Sequence, residues 1–456
     1  MKKTALSLLL AAAALFSACG TAPDTAPLAT PTPDPAAAAE PTPEPEPVSF
    51  PVGHLNDLGQ QPDACWNTGE ALYELQDVSG NTPEGRVMKT DYATLTQTVY
   101  CSVPGCTHDS DACPAYLASD FCTSVMVVDG VVYTYPTELT SVAPDAICRI
   151  DPASGKTVVA SVPDSIPENC MFYWCDEYAL YGAKFGYTPI KHQPNTLYRW
   201  DWKNGTVQTI QLLPDEKIVA HDGACFLTCH IAVDEPWPDF ATNEQEEAIL
   251  QHAVWEYSWL DPADGTRELI CTQPYVYGSF FGYYDGKICY YGNFRNANTP
   301  EQQVDVLCFD TADGQEKTLM ENWPCDTSAF VPPTFYPAFS GQSAPLVCAI
   351  KNMQTQTYMV DVNTGSWSPL PMLGGIGVQP VAVTDNGRWV VSFNPQERID
   401  PVYHEYLLYD PQVCLAGGSP IAAFAMYTGE QFIRDFAKMS TLRLQRHACC
   451  KQNFEK

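Results

Sequence analysis

Residues 283–292 read YYDGKICYYG, and residues 306–314 read VLCFDTADG. Aromatic and β-branched residues flank an Asp-Gly pair in the first stretch, which is typical of two strands joined by a tight hairpin turn. In the second stretch an apolar strand ends at Asp310, and a polar turn containing Gly314 follows. An aspartate in this place hydrogen-bonds the backbone of its own turn, and glycine supplies the positive φ angle. The two stretches together predict two hairpins, which is four strands.

The phrase that ends in aspartate recurs seven times along the chain. Successive copies end 49 to 60 residues apart, with their turn aspartates at Asp91, Asp151, Asp201, Asp261, Asp310, Asp361 and Asp410. A repeat of four strands at a period near fifty residues is typical of the blades of a β-propeller. We therefore expect an all-β chain that folds as a propeller of about seven four-stranded blades. An eighth blade stays open if the segment after Ser49 adds strands.

The N-terminus has the pattern of an export signal. Lys2 and Lys3 precede a short apolar stretch, Leu6 to Leu15, which is too short to span a bilayer. The sequence Phe-Ser-Ala-Cys then ends at Cys19 and resembles a bacterial lipobox, in which small residues precede the lipidated cysteine. The pattern predicts cleavage before Cys19 and lipidation of that residue, which would place the protein at the cell membrane on its extracytoplasmic side.

A stalk is expected directly after Cys19. Residues 20–48 are almost entirely Ala, Pro, Thr, Glu and Asp, a composition that cannot bury a core and favours an extended, disordered chain. The expected domains are a signal peptide at 1–18, a disordered linker at 19–48, a propeller at 49–415 and an atypical C-terminal tail at 416–456, whose apolar residues have helical spacing.

The charge of the chain restricts its partners. The formal net charge is −30, which disfavours nucleic acid and the anionic headgroups of lipids because both would be repelled. The expected partners are the membrane, through the N-terminal lipid, and an extracellular protein, peptide or glycan ligand.

The repeats resemble the TolB-like and YncE-like propellers, including the DUF5050-type lipoproteins of gut Firmicutes. The resemblance covers the propeller repeats and rests on the strands that end in aspartate and on their glycine turns. It implies the propeller fold and says little about activity, because propellers serve as enzymes, lectins and scaffolds.

One cluster of residues has the chemistry of a metal site. The stretch Cys101-Ser-Val-Pro-Gly-Cys106-Thr-His108-Asp-Ser-Asp-Ala-Cys113 holds three thiols and one imidazole between the first two repeats. Three cysteines and one histidine form a closed tetrahedral set for zinc, although this spacing fits no standard zinc finger. A disulfide, Cys106–Cys113 or Cys101–Cys113, is the favoured alternative in an exported protein, and free thiols are a third. No cofactor is expected, with zinc left open.

Two segments depart from the repeat. The acidic stretch Ala232 to Glu256 is an insertion in the fourth repeat, and its sequence NEQEEAILQHAVW predicts a short helix over one face. Inserted loops of this kind either decorate the surface or form the rim of a binding site. After Pro411 the pattern of the last repeat breaks, and no fourth strand is predicted there.

No catalytic motif is recognisable in the sequence, since the patterns G-x-S-x-G, H-E-x-x-H and C-x-x-C are all lacking. The favoured function is therefore a non-enzymatic binding or protein-interaction module. The alternative is a glycan- or peptide-processing hydrolase or lyase with its site in the central funnel, where carboxylates from several blades would have to converge.

Overall fold

The computed structural model describes residues 50–58, 65–77, 84–94, 96–119, 122–140, 145–184, 194–234, 242–275, 280–296, 303–324, 334–335, 346–351, 354–370, 378–393, 406–412 and 421–427. The expected signal peptide, Cys19 and the expected linker lie outside the described residues, as does the tail beyond Tyr427. Within the described residues, no helix combines the length and the apolar character needed to cross a membrane.

The described residues form a β-propeller built from seven four-stranded antiparallel meanders, here called blades 1 to 7. A short strand, β1 (Asn56–Asp57), precedes them. The strands of blades 1 and 2 are β2 (Cys65–Asn67), β3 (Ala71–Asp77), β4 (Gly85–Asp91), β5 (Thr96–Val99), β6 (Tyr116–Leu117), β7 (Thr123–Val128), β8 (Val131–Pro136), β9 (Ala146–Asp151) and β10 (Gly155–Ser161). Blades 3 and 4 comprise β11 (Cys170–Cys175), β12 (Ala179–Lys184), β13 (Pro194–Asp201), β14 (Thr206–Pro214), β15 (Lys217–His221), β16 (Phe226–Ala232), α1 (Asn243–Leu250), β17 (Val254–Leu260) and β18 (Arg267–Pro274).

Blades 5 to 7 repeat the same order. Their strands are β19 (Phe280–Tyr284), β20 (Lys287–Arg295), β21 (Gln303–Asp310), β22 (Glu316–Pro324), β23 (Thr334–Phe335), β24 (Leu346–Lys351), β25 (Gln354–Val360), β26 (Trp367–Pro369), β27 (Val378–Val383), β28 (Trp389–Phe393), β29 (Tyr406–Tyr409) and β30 (Ile421–Tyr427). The all-β prediction is confirmed, and the helix predicted in the insertion is α1, the one helix among the described residues.

Burial distinguishes the inner from the outer strands of a blade. The first strands of blades 2 and 3, β7 and β11, are mostly buried, whereas the fourth strands β10, β14 and β18 expose at least half of their residues. The first strand of each meander therefore lines the centre, and the fourth forms the rim. The core lies between neighbouring blades, where apolar side chains of adjacent sheets pack face to face.

The first and the last blade also contact each other, which closes the ring. The Asn67 side chain donates to the Val383 carbonyl at 2.7 Å, and Leu72 packs with Val390 and Leu408 in a shared buried cluster. The outer strands β5 and β30 form a short parallel pair. This closure buries the apolar sheet faces that an open array would leave exposed at its two ends.

The turn aspartates behave as the sequence predicts. Each carboxylate accepts a hydrogen bond from a backbone N–H two or three residues further on, at 2.7 to 3.1 Å, as recorded for Asp91, Asp151, Asp201, Asp261, Asp310, Asp361 and Asp410. The turn glycines that follow, for example Gly314 with φ +69°, take the left-handed conformation. All seven lie in the turn between the third and fourth strands, so they share one face of the ring.

Two boundaries differ from the sequence prediction. Strand β30 lies beyond residue 415, where we placed the end of the propeller, and it supplies the fourth strand that we did not expect. The segment after Ser49 contributes β1, which pairs with the inner strand β11 as a fifth strand of blade 3 and does not begin an eighth meander. Both differences arise because pairing with a free sheet edge, which sequence periodicity does not record, fixes these strands.

Candidate metal centre

The four residues of the cysteine-rich stretch come together at the rim of blade 1. One potential ligand atom from each of Cys101, Cys106, His108 and Cys113 lies within 4.8 Å of the others. The closest polar contact joins His108 Nδ1 to Cys113 Sγ at 3.3 Å. Cys122, which follows nine residues later, is not part of this group. The structure therefore brings together all four candidate ligands that the sequence singles out.

The cluster sits in a loop that interrupts the outer strand of blade 1. Strand β5 pairs with Met88–Asp91 of β4, and β6 continues the same line beside Gly85 and Arg86. Both ends of the loop meet at Val87, whose carbonyl accepts from the Tyr100 N–H at 2.8 Å and whose N–H donates to the Ala115 carbonyl at 2.9 Å. The chain thus leaves the line of the outer strand after residue 100 and rejoins it at residue 115. The loop between these points, residues 101–114, is called the excursion below.

Local turns fold this excursion back on itself. The Cys106 N–H donates to the Val103 carbonyl at 3.3 Å across Pro104-Gly105, and Gly105 has φ +73°. Proline followed by a glycine with positive φ is typical of a type II turn. His108 also lies in the left-handed region, with φ +59°, which is uncommon for a residue with a side chain. These two backbone features direct Cys106 and His108 toward the same point.

The electrostatic environment differs among the donors. The backbone N–H of His108 donates to Cys106 Sγ and lowers the pKa of that thiol. Burial raises the pKa of Cys113 to about 12, although the backbone N–H of Ala115 donates to its sulfur. Burial, together with the positive charge of Arg86, lowers the pKa of His108. At neutral pH the imidazole is therefore neutral, the form that binds metals.

Arg86 is a supporting residue that the sequence did not reveal. Its Nε donates to the carbonyl oxygen of His108 at 2.7 Å. The residue lies on β4, opposite β6, so it reaches the loop across the sheet and not along the chain. No motif spacing identifies such a contact.

The loop also touches blade 2 and the core. The Ser102 N–H donates to the Pro152 carbonyl at 2.8 Å, in the turn that follows β9. Lys156, on β10, contacts the Tyr116 carbonyl and lies 3.4 Å from the Asp111 carboxylate. Cys113 is buried in the apolar cluster shared by the first three blades. The loop of residues 101–114 thus joins two blades at the rim.

Comparisons with known proteins indicate architecture alone. No family model matches the chain, and no curated protein does. Among solved structures, it is similar to the acylaminoacyl peptidase of Pyrococcus horikoshii (11% identity, TM-score 0.44), of which it covers 51% with 79% of its own length. It is also similar to the β-propeller domain of the Trilobed protease from Pyrococcus furiosus (10% identity, TM-score 0.40, 79% of this chain and 96% of that one). A third similar structure is the oligogalacturonate lyase of Vibrio parahaemolyticus (14% identity, TM-score 0.42, 75% of this chain and 88% of that one). The chain thus spans about half the length of the peptidase, and none of these similarities carries an argument about activity.

Proposed function

We propose that this protein is a lipid-anchored β-propeller of the cell surface that binds an extracellular protein, peptide or glycan without changing it chemically. The lipid would be attached at Cys19, and residues 20–48 would act as a flexible spacer. This proposal extends the resemblance to TolB-like and YncE-like propeller lipoproteins. Its central element is a surface on blade 4.

The observation that carries the proposal is the described part of the insertion between β16 and β17, from Thr242 to Glu256, which contains helix α1. Helix α1 begins with a capping box in which Thr242 and Gln245 exchange side chain and backbone hydrogen bonds, so the insertion has its own local stability. At its base Trp255 stacks on Tyr275, with ring centroids 5.5 Å apart and planes at 25°. An acidic helix beside paired aromatic rings is a typical rim of a site for sugars or for basic peptides.

The position of residues 51–57 weighs against a catalytic site in the central channel of the propeller. Strand β1 pairs with the inner edge of β11, and Leu55 beside it is fully buried. Arg199 fixes the start of this segment by donating to the Pro51 carbonyl at 2.6 Å. The chain therefore occupies part of the central channel at blade 3, which favours binding on the faces of the ring over catalysis in the funnel.

One observation favours the alternative of a glycan- or peptide-processing enzyme. His230 Nδ1 lies 3.7 Å from Glu256 Oε2, where β16 and β17 pair at the base of the insertion. An imidazole and a carboxylate at this separation could act as an acid and a base. This alternative would put the chemistry at blade 4, whereas the sequence analysis expected it in the central funnel.

A binding array tests the proposal. We would screen glycans and peptides with the chain carrying Cys19→Ser, so that lipid does not cause adhesion. We expect at least one ligand class to bind and Trp255→Ala to weaken that binding by about tenfold or more, as truncation of an interfacial aromatic anchor commonly does. Trp367→Ala is the matched control, because this tryptophan is 44% exposed but lies on β26 of blade 6. Equal loss in both variants, or no ligand at all, would contradict the proposal.

Lipid attachment at Cys19 is a separate prediction. Two acyl chains on this cysteine hold a protein stably in a membrane, so the mature protein should enter the detergent phase on phase separation. The Cys19→Ser chain should remain in the aqueous phase. If that variant still partitions into detergent, the lipid is not what holds the protein at the membrane.

A further inference from the structure

The cysteine-rich loop holds four potential metal ligands, Cys101, Cys106, His108 and Cys113. Its cysteines could form a disulfide, or all four residues could bind a metal ion. The sequence favoured a disulfide. Among the thirteen cysteines whose side chains the structure describes, no two are joined in a disulfide, and the three of the cluster are among them. The arrangement of the donors therefore has to decide between the two.

The spacing of the donors suits one central ion. In a tetrahedral zinc site with about 2.3 Å Zn–S and about 2.0 Å Zn–N bonds, sulfurs are about 3.8 Å apart, and sulfur and nitrogen about 3.5 Å apart. The four donors lie within 4.8 Å of one another, and His108 Nδ1 lies 3.3 Å from Cys113 Sγ. A disulfide would use two sulfurs at about 2.05 Å and would leave the third thiol and the imidazole without a role.

The surroundings provide hydrogen-bond donors and a positive charge near the sulfurs. Backbone N–H groups donate to two of the sulfurs, from His108 to Cys106 and from Ala115 to Cys113, each two residues after the cysteine. Hydrogen bonds of this kind stabilise a thiolate. Three thiolates and Zn²⁺ carry a net charge of −1, and the guanidinium of Arg86, held on the His108 carbonyl, provides a nearby positive charge.

We propose that Cys101, Cys106, Cys113 and the Nδ1 atom of His108 bind one structural Zn²⁺ ion at the rim of blade 1. On binding, the three thiols release three protons and the neutral imidazole contributes its lone pair, so no oxidant is needed. Four protein ligands leave no open coordination position, which makes the site structural and not catalytic. The ion would fix the conformation of the loop of residues 101–114, whose two ends are both hydrogen-bonded to Val87. It would also hold the contact of Ser102 with blade 2.

Metal analysis of the full chain tests this inference. The protein would be purified in detergent from an exporting bacterial host grown with zinc, without a polyhistidine tag. We expect one zinc ion per chain, and reconstitution of the chelated protein with Co²⁺ should give the visible absorption of a tetrahedral cobalt–thiolate centre. Cys106→Ala should lose the ion, and His108→Cys, which restores a fourth ligand, should retain it.

Cys122→Ala provides the matched control, since this cysteine is close in sequence and lies outside the cluster. It should keep the zinc and the cobalt spectrum of the unmodified chain. If Cys106→Ala fails to fold, the cobalt spectrum and the stoichiometry of the unmodified chain still decide the question. A disulfide among Cys101, Cys106 and Cys113 in unreduced mass spectra, or free thiols without metal, would overturn the proposal.

Discussion

At the scale of single residues, the turn aspartates show how short-range chemistry builds the repeat. In each turn the carboxylate binds backbone N–H groups that would otherwise lack a partner, and Asp361 also accepts from the Thr364 hydroxyl at 2.8 Å. These bonds lower the pKa of Asp361, and backbone N–H donors do the same for Asp151 and Asp310. All partners lie within a few residues along the chain, which is why the sequence alone predicted them.

Replacing one of these carboxylates should destabilise the propeller modestly. Asp361→Ala removes the acceptor of three hydrogen bonds, and we expect a loss of about 1 kcal/mol in the free energy of unfolding. Asp361→Asn keeps one acceptor oxygen and should lose less. Urea denaturation of the three chains measures the effect. Equal stability of Asp361→Ala and the unmodified chain would show that the turn bonds contribute nothing.

The difference in stability between the unmodified chain and Asp361→Asn should depend on pH, in a direction that the lowered pKa of Asp361 fixes. Because the pKa of Asp361 is lower in the folded than in the unfolded chain, its ionised form adds stability above the unfolded pKa of about 3.9. This contribution is lost as the pH falls through the folded pKa. The stability advantage of the unmodified chain over Asp361→Asn should therefore be full at pH 6 and should shrink below about pH 4. An advantage that grows toward acid pH would contradict the assignment.

The cysteine cluster marks the limit of residue-scale prediction. Thiols and an imidazole within thirteen residues are visible in the sequence, but their convergence depends on Val87 and Arg86, which lie on another strand. The positive φ of His108 is likewise a feature of the folded backbone. Sequence reasoning found the ligands and could not choose among zinc, disulfide and free thiols, because contacts across strands decide the geometry.

At the scale of elements, the sequence predicts the hairpins with Asp-Gly or Asn-Gly turns. It does not predict the strands whose position depends only on pairing with the free edge of a neighbouring strand. The hairpins at Gly130, Gly286 and Gly387 carry their own turn signal, each with a positive φ. Strands β30 and β1 have no such signal. Their positions follow from unpaired neighbours, since β29 offers a free edge to β30 and β11 offers one to β1.

Truncation tests the role of β30. Removal of residues 416–456 deletes this strand and leaves the edge of β29 unpaired, so we expect a lower thermal midpoint and a tendency to associate. Removal of residues 428–456 keeps β30 and should destabilise the propeller less. Differential scanning calorimetry of the two truncated chains makes the comparison. If both have the same midpoint, β30 does not contribute to the ring.

At the scale of the whole molecule, the two faces of the ring differ in the turns and loops that they carry. The turn aspartates and the hairpin turns lie on one face, and the chain enters there, where Gly53 and His54 donate their backbone N–H groups to Asp176 and Glu177. The insertion with α1 lies on the opposite face. That arrangement leaves the face with Trp255 and Tyr275 free of the chain that enters the ring, which suits a surface receptor.

Recovery of a bound ligand tests the central claim, binding without turnover, most directly. A ligand identified on the array would be incubated in excess with the chain carrying Cys19→Ser and then analysed by mass spectrometry over time. The account predicts that the ligand is recovered intact, with the same affinity at the end as at the start. Steady release of shorter glycans or peptides, abolished by His230→Ala but not by Trp367→Ala, would contradict it and would identify the protein as an enzyme.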